Sequence, residues 1–391
     1  MKKSKSFFAS LSEMSALSSV MAVLIGLLAG FIILVVSNPS QSIGGFITIL
    51  TGGFSDMFNL GQVLYYATPI IMTGLSVGFA GKTGLFNIGA SGQFTFGMFA
   101  AIFVAVRFSN LPGPLVCLLA LLAGIFAGAV WGFVPGILKA QCNVHEVIAC
   151  IMMNYIGMYL VNHLIVVADV YDRLRNMTMR IPPDANLPTL GLDTLFSASM
   201  GGGAARPSSV NSGILIAIFV CIIIYIVLEK TKFGYELKSC GFNHEAAHYA
   251  GINEKKGIML SMTIAGGLAG LGGAMLALGG AGRGIKVVDV LASEGFMGIP
   301  VALLALNNPI GIIFSGFLIA YLTQSGFLLQ RFAFAPEIIE IIVAIIIYFS
   351  ALALLLKGAI EYIFRGKKEE VLIPTDDAEI EANKSEGGGE Q

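Results

Sequence analysis

The stretch GFAGKTGLFNIGASGQ, residues 78–93, decides what kind of protein this is. Gly81-Lys82-Thr83 spells the G-K-[ST] ending of a phosphate loop, which would put a nucleotide-binding domain in water. Such a loop also needs a glycine five residues before the Gly-Lys pair, because that glycine opens the turn whose amides cradle phosphate. Ser76 stands there instead, and the residues upstream form an apolar run with no strand before it. The phosphate-loop reading fails on spacing and on context. What remains is a short polar turn between two membrane spans, with Lys82 in it.

The rest of the chain agrees. Of 391 residues, 56% are hydrophobic and only 12% are charged, against about 25% charged in a soluble domain. A polytopic membrane protein is the expectation. The net charge of −1 gives no case for nucleic acid. Cys117, Cys142, Cys150, Cys221 and Cys240 show no metal or redox spacing and read as small hydrophobic residues. The start, MKKSKSFFASLSEMSALSS, is too polar before its apolar run for a cleaved signal peptide, so the first run is expected to be a retained anchor.

A spanning helix needs about 20 apolar residues. Ten candidates meet or approach this: 16–36, 61–80, 85–106, 114–138, 146–167, 213–229, 257–280, 294–306, 309–325 and 336–356. The eighth is short, and Asn307-Asn308-Pro309 breaks it from the ninth, so this pair could be a tight helical hairpin or a re-entrant element. The fold class is therefore an all-α polytopic membrane protein. Basic residues set the orientation. With the N-terminus inside, cytoplasmic segments hold 15 of the 23 Lys and Arg, Lys82, Lys139, Lys230, Lys238 and Lys256 among them. Both termini are expected in the cytoplasm: residues 1–15 at one end, and at the other an acidic tail, 357–391, without apolar periodicity and read as disordered. Residues 16–356 form the transmembrane domain, with an extracytoplasmic loop at 168–212 and a cytoplasmic loop at 230–256.

Small residues four apart (Gly26/Gly30; Gly124/Gly128/Gly132; Ala265/Ala269/Gly273/Ala277) suit close helix packing in lipid. This covers most of the 48 glycines and displaces a dinucleotide fingerprint, which needs a preceding strand.

The loop 230–256 holds a second decoy. His244-Glu245-Ala246-Ala247-His248 matches HExxH, two histidines one helical turn apart with a glutamate as general base. Asn308-Pro309-Ile310-Gly311 is similar to the NPDG element of intramembrane zinc proteases, but Ile310 replaces the aspartate ligand. The HExxH also lies in a charged loop and not in an apolar span. A zinc metalloprotease is the enzyme alternative, and it is weak. The same loop has a helix-compatible middle bounded by Gly241 and Gly251, with Asn243 as N-cap. A short amphipathic helix there is shaped to dock on another protein; a plain solvated connector is the bland alternative.

Three motifs carry a family resemblance. Gly241, Asn243, Ala246, Ala247, Tyr249, Ala250, Gly251 and Ile252 match G-x-N-x-x-A-A-x-Y-A-G-I. Pro69, Ile70, Gly74, Leu75, Val77, Phe79, Ala80 and Lys82, followed by Gly84 to Ala90, Gly92 and Gln93, match a longer pattern that departs at Ser91, where glutamate is usual. His145-Glu146-Val147-Ile148, Ile151-Met152 and Asn154-Tyr155 match a third, with histidine replacing its first asparagine. Over residues 60–356 the chain resembles the permease subunits of bacterial nucleoside and simple-sugar ABC importers. The resemblance implies a second, homologous permease subunit, a cytoplasmic ATPase that binds the ATP and Mg, and an extracytoplasmic solute-binding lipoprotein. This chain would then need no cofactor of its own, and would be a non-enzymatic subunit of the cell membrane in contact with lipid. The resemblance makes 241–252 the coupling helix, with Gly241, Asn243, Glu245, Ala246, Ala247 and Gly251 at the ATPase contact.

Polar residues inside spans are costly and face a cavity or another helix. Asn87, Ser91 and Thr95 fall at i, i+4 and i+8, as do Glu146, Cys150 and Asn154. These stripes, with Phe86, Gln93, Phe94 and Tyr155, are the candidate solute path; interhelical hydrogen bonding is the competing role for each polar residue. Amides, hydroxyls and aromatics suit a neutral ring-bearing solute, a nucleoside first and a simple sugar second. A secondary transporter would need coupling-ion ligands near the midplane, and no carboxylate is convincingly central.

Overall fold

The structure, a computed structural model, describes residues 23–200, 204–242, 244–280, 282–335 and 337–351. The expected terminal segments 1–15 and 357–391, and Asn243, lie outside them. Fifteen α-helices are described: α1 Val23–Ser37, α2 Ser42–Thr51, α3 Met57–Lys82, α4 Ala90–Arg107, α5 Gly113–Cys142, α6 Glu146–Val167, α7 Leu192–Leu195, α8 Gly213–Lys230, α9 Lys232–Phe242, α10 His244–Tyr249, α11 Glu254–Ala277, α12 Ser293–Phe296, α13 Gly298–Leu304, α14 Pro309–Leu329 and α15 Glu337–Ala351. Two small hairpins, Tyr171–Asp172 with Met177–Thr178 and Ala198–Met200 with Ala204–Arg206, lie in the 168–212 loop. Among the described residues, seven helices are long and apolar enough to cross a membrane: α3, α4, α5, α6, α8, α11 and α14 with its following turn. This is a multi-pass, all-α membrane protein.

Depth in the bundle follows composition. The most apolar stretches of α3 and α11 are 89% and 78% buried, whereas those of α5 and α8 are 33% buried and turn apolar side chains outward. Lipid tails are as apolar as leucine, so helices associate there through close packing. The small-residue stripes supply it. Gly124, Gly128 and Gly132 of α5 run along Gly266, Gly270 and Ala274 of α11, and Gly97 of α4 meets Gly270. A Cβ on Gly132 would lie 2.5 Å from the Met262 carbonyl oxygen.

Two candidate spans differ from expectation. The third, 85–106, becomes helical only at Ala90. Gly84, with φ +76, ends α3 in the left-handed region that favours glycine, and residues 85–87 then run without helix. The eighth, 294–306, is two short helices, α12 and α13, too short to span alone. It belongs to a composite crossing. Irregular residues 282–292 descend from the Tyr66 level of α3, where Arg283 donates to the Tyr66 hydroxyl. α12 and α13 continue to the level of Gly81, whose Cβ position is filled by Asn307. These contacts run along the length of α3, so of the two expected forms the helical hairpin with α14, its first arm broken, is the better description. The short helix α2 in the 37–60 connection had no signal in the sequence reading. It packs its glycines on the turn that follows α14, with Phe332 against Gly44 and Phe334 against Gly45.

Candidate functional site

The break before α4 is held by side chains. Asn87 and Gln93 exchange amide hydrogen bonds, Asn87 Nδ2 to Gln93 Oε1 at 2.8 Å and Gln93 Nε2 to Asn87 Oδ1 at 3.1 Å. Asn87 also donates to Ser76 Oγ at 3.0 Å, and Ser76 donates to the Ala265 carbonyl on α11 at 2.6 Å. From α6, Asn154 accepts from the Gly92 amide at 2.8 Å and donates to the Ile88 carbonyl at 3.0 Å. One side chain thus satisfies a free amide of the first turn of α4 and a carbonyl of the break, groups that a helix start leaves open. Ser91 donates to the Ala292 carbonyl at 2.8 Å, tying the break to the irregular descent before α12. Asn87, Ser91, Gln93 and Asn154 are all buried.

The proposed path residues therefore divide. Asn87 precedes α4, so the Asn87–Ser91–Thr95 stripe is helical only from Ser91 onward. Asn87 and Gln93 bond each other, and Asn154 holds the Ile88 and Gly92 backbone of the same break. Phe86, half-buried, packs on a small cluster of Val77, Ala90, Ala269 and Ala302. Glu146 starts α6 and pairs with Lys139 in the last turn of α5 at 3.0 Å. Acidic at a helix start and basic at a helix end is the favourable sense of both dipoles. Tyr155 is 48% exposed and faces away from the bundle interior with Met152 and Tyr159.

A cavity of about 370 Å³ lies between α4, α6, α11 and the descent, lined by Thr95, Met98, Asn162, Arg283 and Glu294, among others. A second, of about 200 Å³, lies between α3, α11, α14 and α15. They share Leu276, Arg283, Ser293 and Glu294. A third, of about 400 Å³, opens beside the first hairpin, and Arg283 lines it too. Arg283 thus stands at the junction of all three. Its guanidinium donates to the Tyr66 hydroxyl at 2.9 Å and lies 5.4 Å from the centre of that ring. Of the earlier path residues, Phe94 and Thr95 line the first of these three cavities and the others line none. Sequence reasoning missed Arg283, Tyr66, Asn162 and Ser293 as lining residues. A signal existed for Arg283: it is one of few basic residues in the segments assigned outside, in an irregular stretch before an unusually short apolar run.

At the opposite end of α3, α9 and α10 follow α8. The expected short helix before Gly251 is α10, His244–Tyr249; a further helix that was not expected, α9, precedes it from Lys232 and contains Gly241. Gly241 sits against the backbone of Thr83 and Gly84, where a Cβ would lie 2.5 Å from the Thr83 carbonyl carbon and 2.6 Å from the Gly84 nitrogen. Thr83 is hydrogen-bonded to Ser261 of α11 at the same turn. Glu245, Ala246 and Ala247 lie on α10; Ala247 is buried and Tyr249 is 92% exposed. Gly251, at φ +78, ends α10, with the Ile252 amide donating back to the Ala247 carbonyl at 3.0 Å. Among the described residues no group of three or more His, Cys, Asp or Glu side chains could hold a metal ion.

A bundle of long apolar helices with a broken-helix cavity is what a membrane permease requires, and comparison with known proteins agrees. Residues 59–351 match the model of the family described as the permease component of branched-chain amino acid transport systems. The chain belongs to this permease family. The permease is 37% identical over 331 residues to the guanosine ABC transporter permease protein NupP of Bacillus subtilis, covering 84% of this chain and 91% of that one. It is 34% identical to the nucleoside ABC transporter permease protein NupB of Lactococcus lactis, with 86% and 90% covered. It is 32% identical to the glucose ABC transporter permease protein TsgB13 of Haloferax volcanii, with 84% and 85% covered.

Proposed function

We propose that this permease is the translocating subunit of an ATP-driven importer and that its solute is a nucleoside. The observation that carries the reading is the cavity at the broken helices, lined by hydroxyl, amide, the Arg283 guanidinium, the Glu294 carboxylate and, exposed at its rim, the Lys286 ammonium, in a chain similar to nucleoside and guanosine permeases. Opposite charges on one wall suit a neutral solute with several donors and acceptors; a phosphate would meet Glu294 and a cation would meet Arg283. A simple sugar is the second reading, favoured by the similarity to a glucose permease.

The orientation follows the basic residues, with the Lys82 end of α3 and the helices α9–α10 in the cytoplasm. There α9–α10 would meet a partner ATPase, which binds ATP and Mg. A solute-binding lipoprotein would deliver from the other side, and a second, homologous permease chain would complete the path. This chain would do no bond chemistry. The purified protein is expected to carry no stoichiometric zinc by elemental analysis, with or without His244→Ala; one tightly bound zinc per chain would reverse that statement. The function is tested with the complex of permeases, ATPase and binding protein in proteoliposomes. Nucleoside-loaded binding protein is expected to stimulate ATP hydrolysis and drive uptake of labelled nucleoside, and stimulation by glucose alone would transfer the assignment to sugars.

A further inference from the structure

Glu294 stands on the wall that two cavities share, with Ser293, Arg283 and Leu276. Its backbone is fixed: the Glu294 carbonyl accepts from Thr73 Oγ1 of α3 at 3.1 Å, and the following Gly295 packs against the Ser91 backbone of α4. Its carboxylate is little used. Ser293 donates to Oε2 at 3.2 Å, and no ion pair among the described residues includes Glu294. Arg283 faces the same two spaces but bonds the neutral Tyr66 hydroxyl.

A carboxylate inside a membrane bundle is costly, and where it persists it marks a solute or ion pathway. Broken helices are where transporters place such sites. An ionised carboxylate accepts only, through two oxygens that can take two donors side by side. Two neighbouring hydroxyls on a sugar ring present such a donor pair. A free nucleobase lacks it.

We propose that Glu294 is the specificity-determining residue of the solute site and takes the vicinal hydroxyls of a ribose or hexose, with Arg283 facing an acceptor elsewhere on the solute. This rests on the transport reading above. The group is common to ribonucleosides and sugars, so the test carries both.

The reconstituted complex is supplied with saturating binding protein loaded with guanosine, 2′,3′-dideoxyguanosine, glucose or 3-deoxyglucose, so that the binding protein's own affinity drops out of the maximal rate. The unmodified complex is expected to move guanosine faster than its dideoxy analogue by about tenfold or more, because a site built to bond a hydroxyl rejects the analogue without it. Glu294→Gln is expected to bring the ratio close to one, and Glu294→Asp, which keeps a carboxylate, to retain a preference. An unchanged ratio in Glu294→Gln overturns the proposal. So does equal, uniform loss of all solutes in both variants at normal membrane levels, which marks a structural residue. An unmodified complex that moves glucose but not guanosine removes the nucleoside reading alone. The glucose to 3-deoxyglucose ratio in the same variants then tests Glu294.

Discussion

Replacement of Gly241 by valine is expected to leave the permease in the membrane but cut ATP-driven uptake by about tenfold or more. A change of about 1.4 kcal/mol in coupling already amounts to tenfold, and coupling residues carry free energies of that order. The cause is geometric. Gly241 on α9 touches the turn between α3 and α4 backbone to backbone, with its Cβ position 2.5 Å from the Thr83 carbonyl carbon. The atoms in the way are main chain and cannot rotate aside. The turn they belong to is itself held by the Gly84 conformation and by the Thr83–Ser261 hydrogen bond. Valine must therefore push α9 away from the turn, at an overpacking cost of about 1–3 kcal/mol. Gly191→Ala, in the 168–212 loop, is the control. Its Cβ would meet no atom within 4 Å, so the cost is limited to backbone strain at φ +79, about 1–2 kcal/mol. Uptake in proteoliposomes and thermal unfolding in detergent measure both. Normal uptake by Gly241→Val would show that this contact transmits nothing.

The second large effect is expected at Asn154. Asn154→Leu removes the partner of the Gly92 amide and of the Ile88 carbonyl together. Each buried group left unpaired costs about 1–3 kcal/mol, so the sum is about 2–6 kcal/mol. The midpoint of thermal unfolding should fall markedly, while the molecules that remain folded keep the solute concentration for half-maximal uptake. Tyr155→Leu, one residue on but facing outward, is expected to change stability by about 0.5 kcal/mol or less. This contrast separates a residue that positions the break from one that touches solute. Equal unfolding midpoints for Asn154→Leu and the unmodified chain would remove the positioning role.

Much of this was legible in residues. The phosphate-loop pattern failed at Ser76, where it needs a glycine. In the structure Ser76 Oγ bonds the Ala265 carbonyl inside the bundle and Lys82 ends α3. The Gly124/Gly128/Gly132 stripe became the α5–α11 seam, but the α11 residues that meet it are Gly266, Gly270 and Ala274, one position on from the expected Ala265/Ala269/Gly273/Ala277. Spacing reports a periodicity local to each helix and not which face meets a neighbour. Asn87 and Asn154 were read as polar and inward, which is as far as periodicity goes. Whether an amide meets solute, another amide or an open helix end depends on which elements lie opposite, and Asn154 lies 66 residues from the carbonyl it caps.

Helix identity, membrane class and family motifs were thus set by local sequence, because apolar length and small-residue spacing act within one segment. The site was set by tertiary structure. Arg283 lies in an irregular stretch and Glu294 in the four-residue α12 that follows it, neither long enough in one period to read, and the cavities they line exist only because α3, α4, α11 and α14 converge around them. Likewise Gly84 and Gly241 look like ordinary loop and helix glycines until the fold presses their backbones together. A cavity and a backbone contact are properties of surfaces brought from distant parts of the chain, and no single segment encodes them.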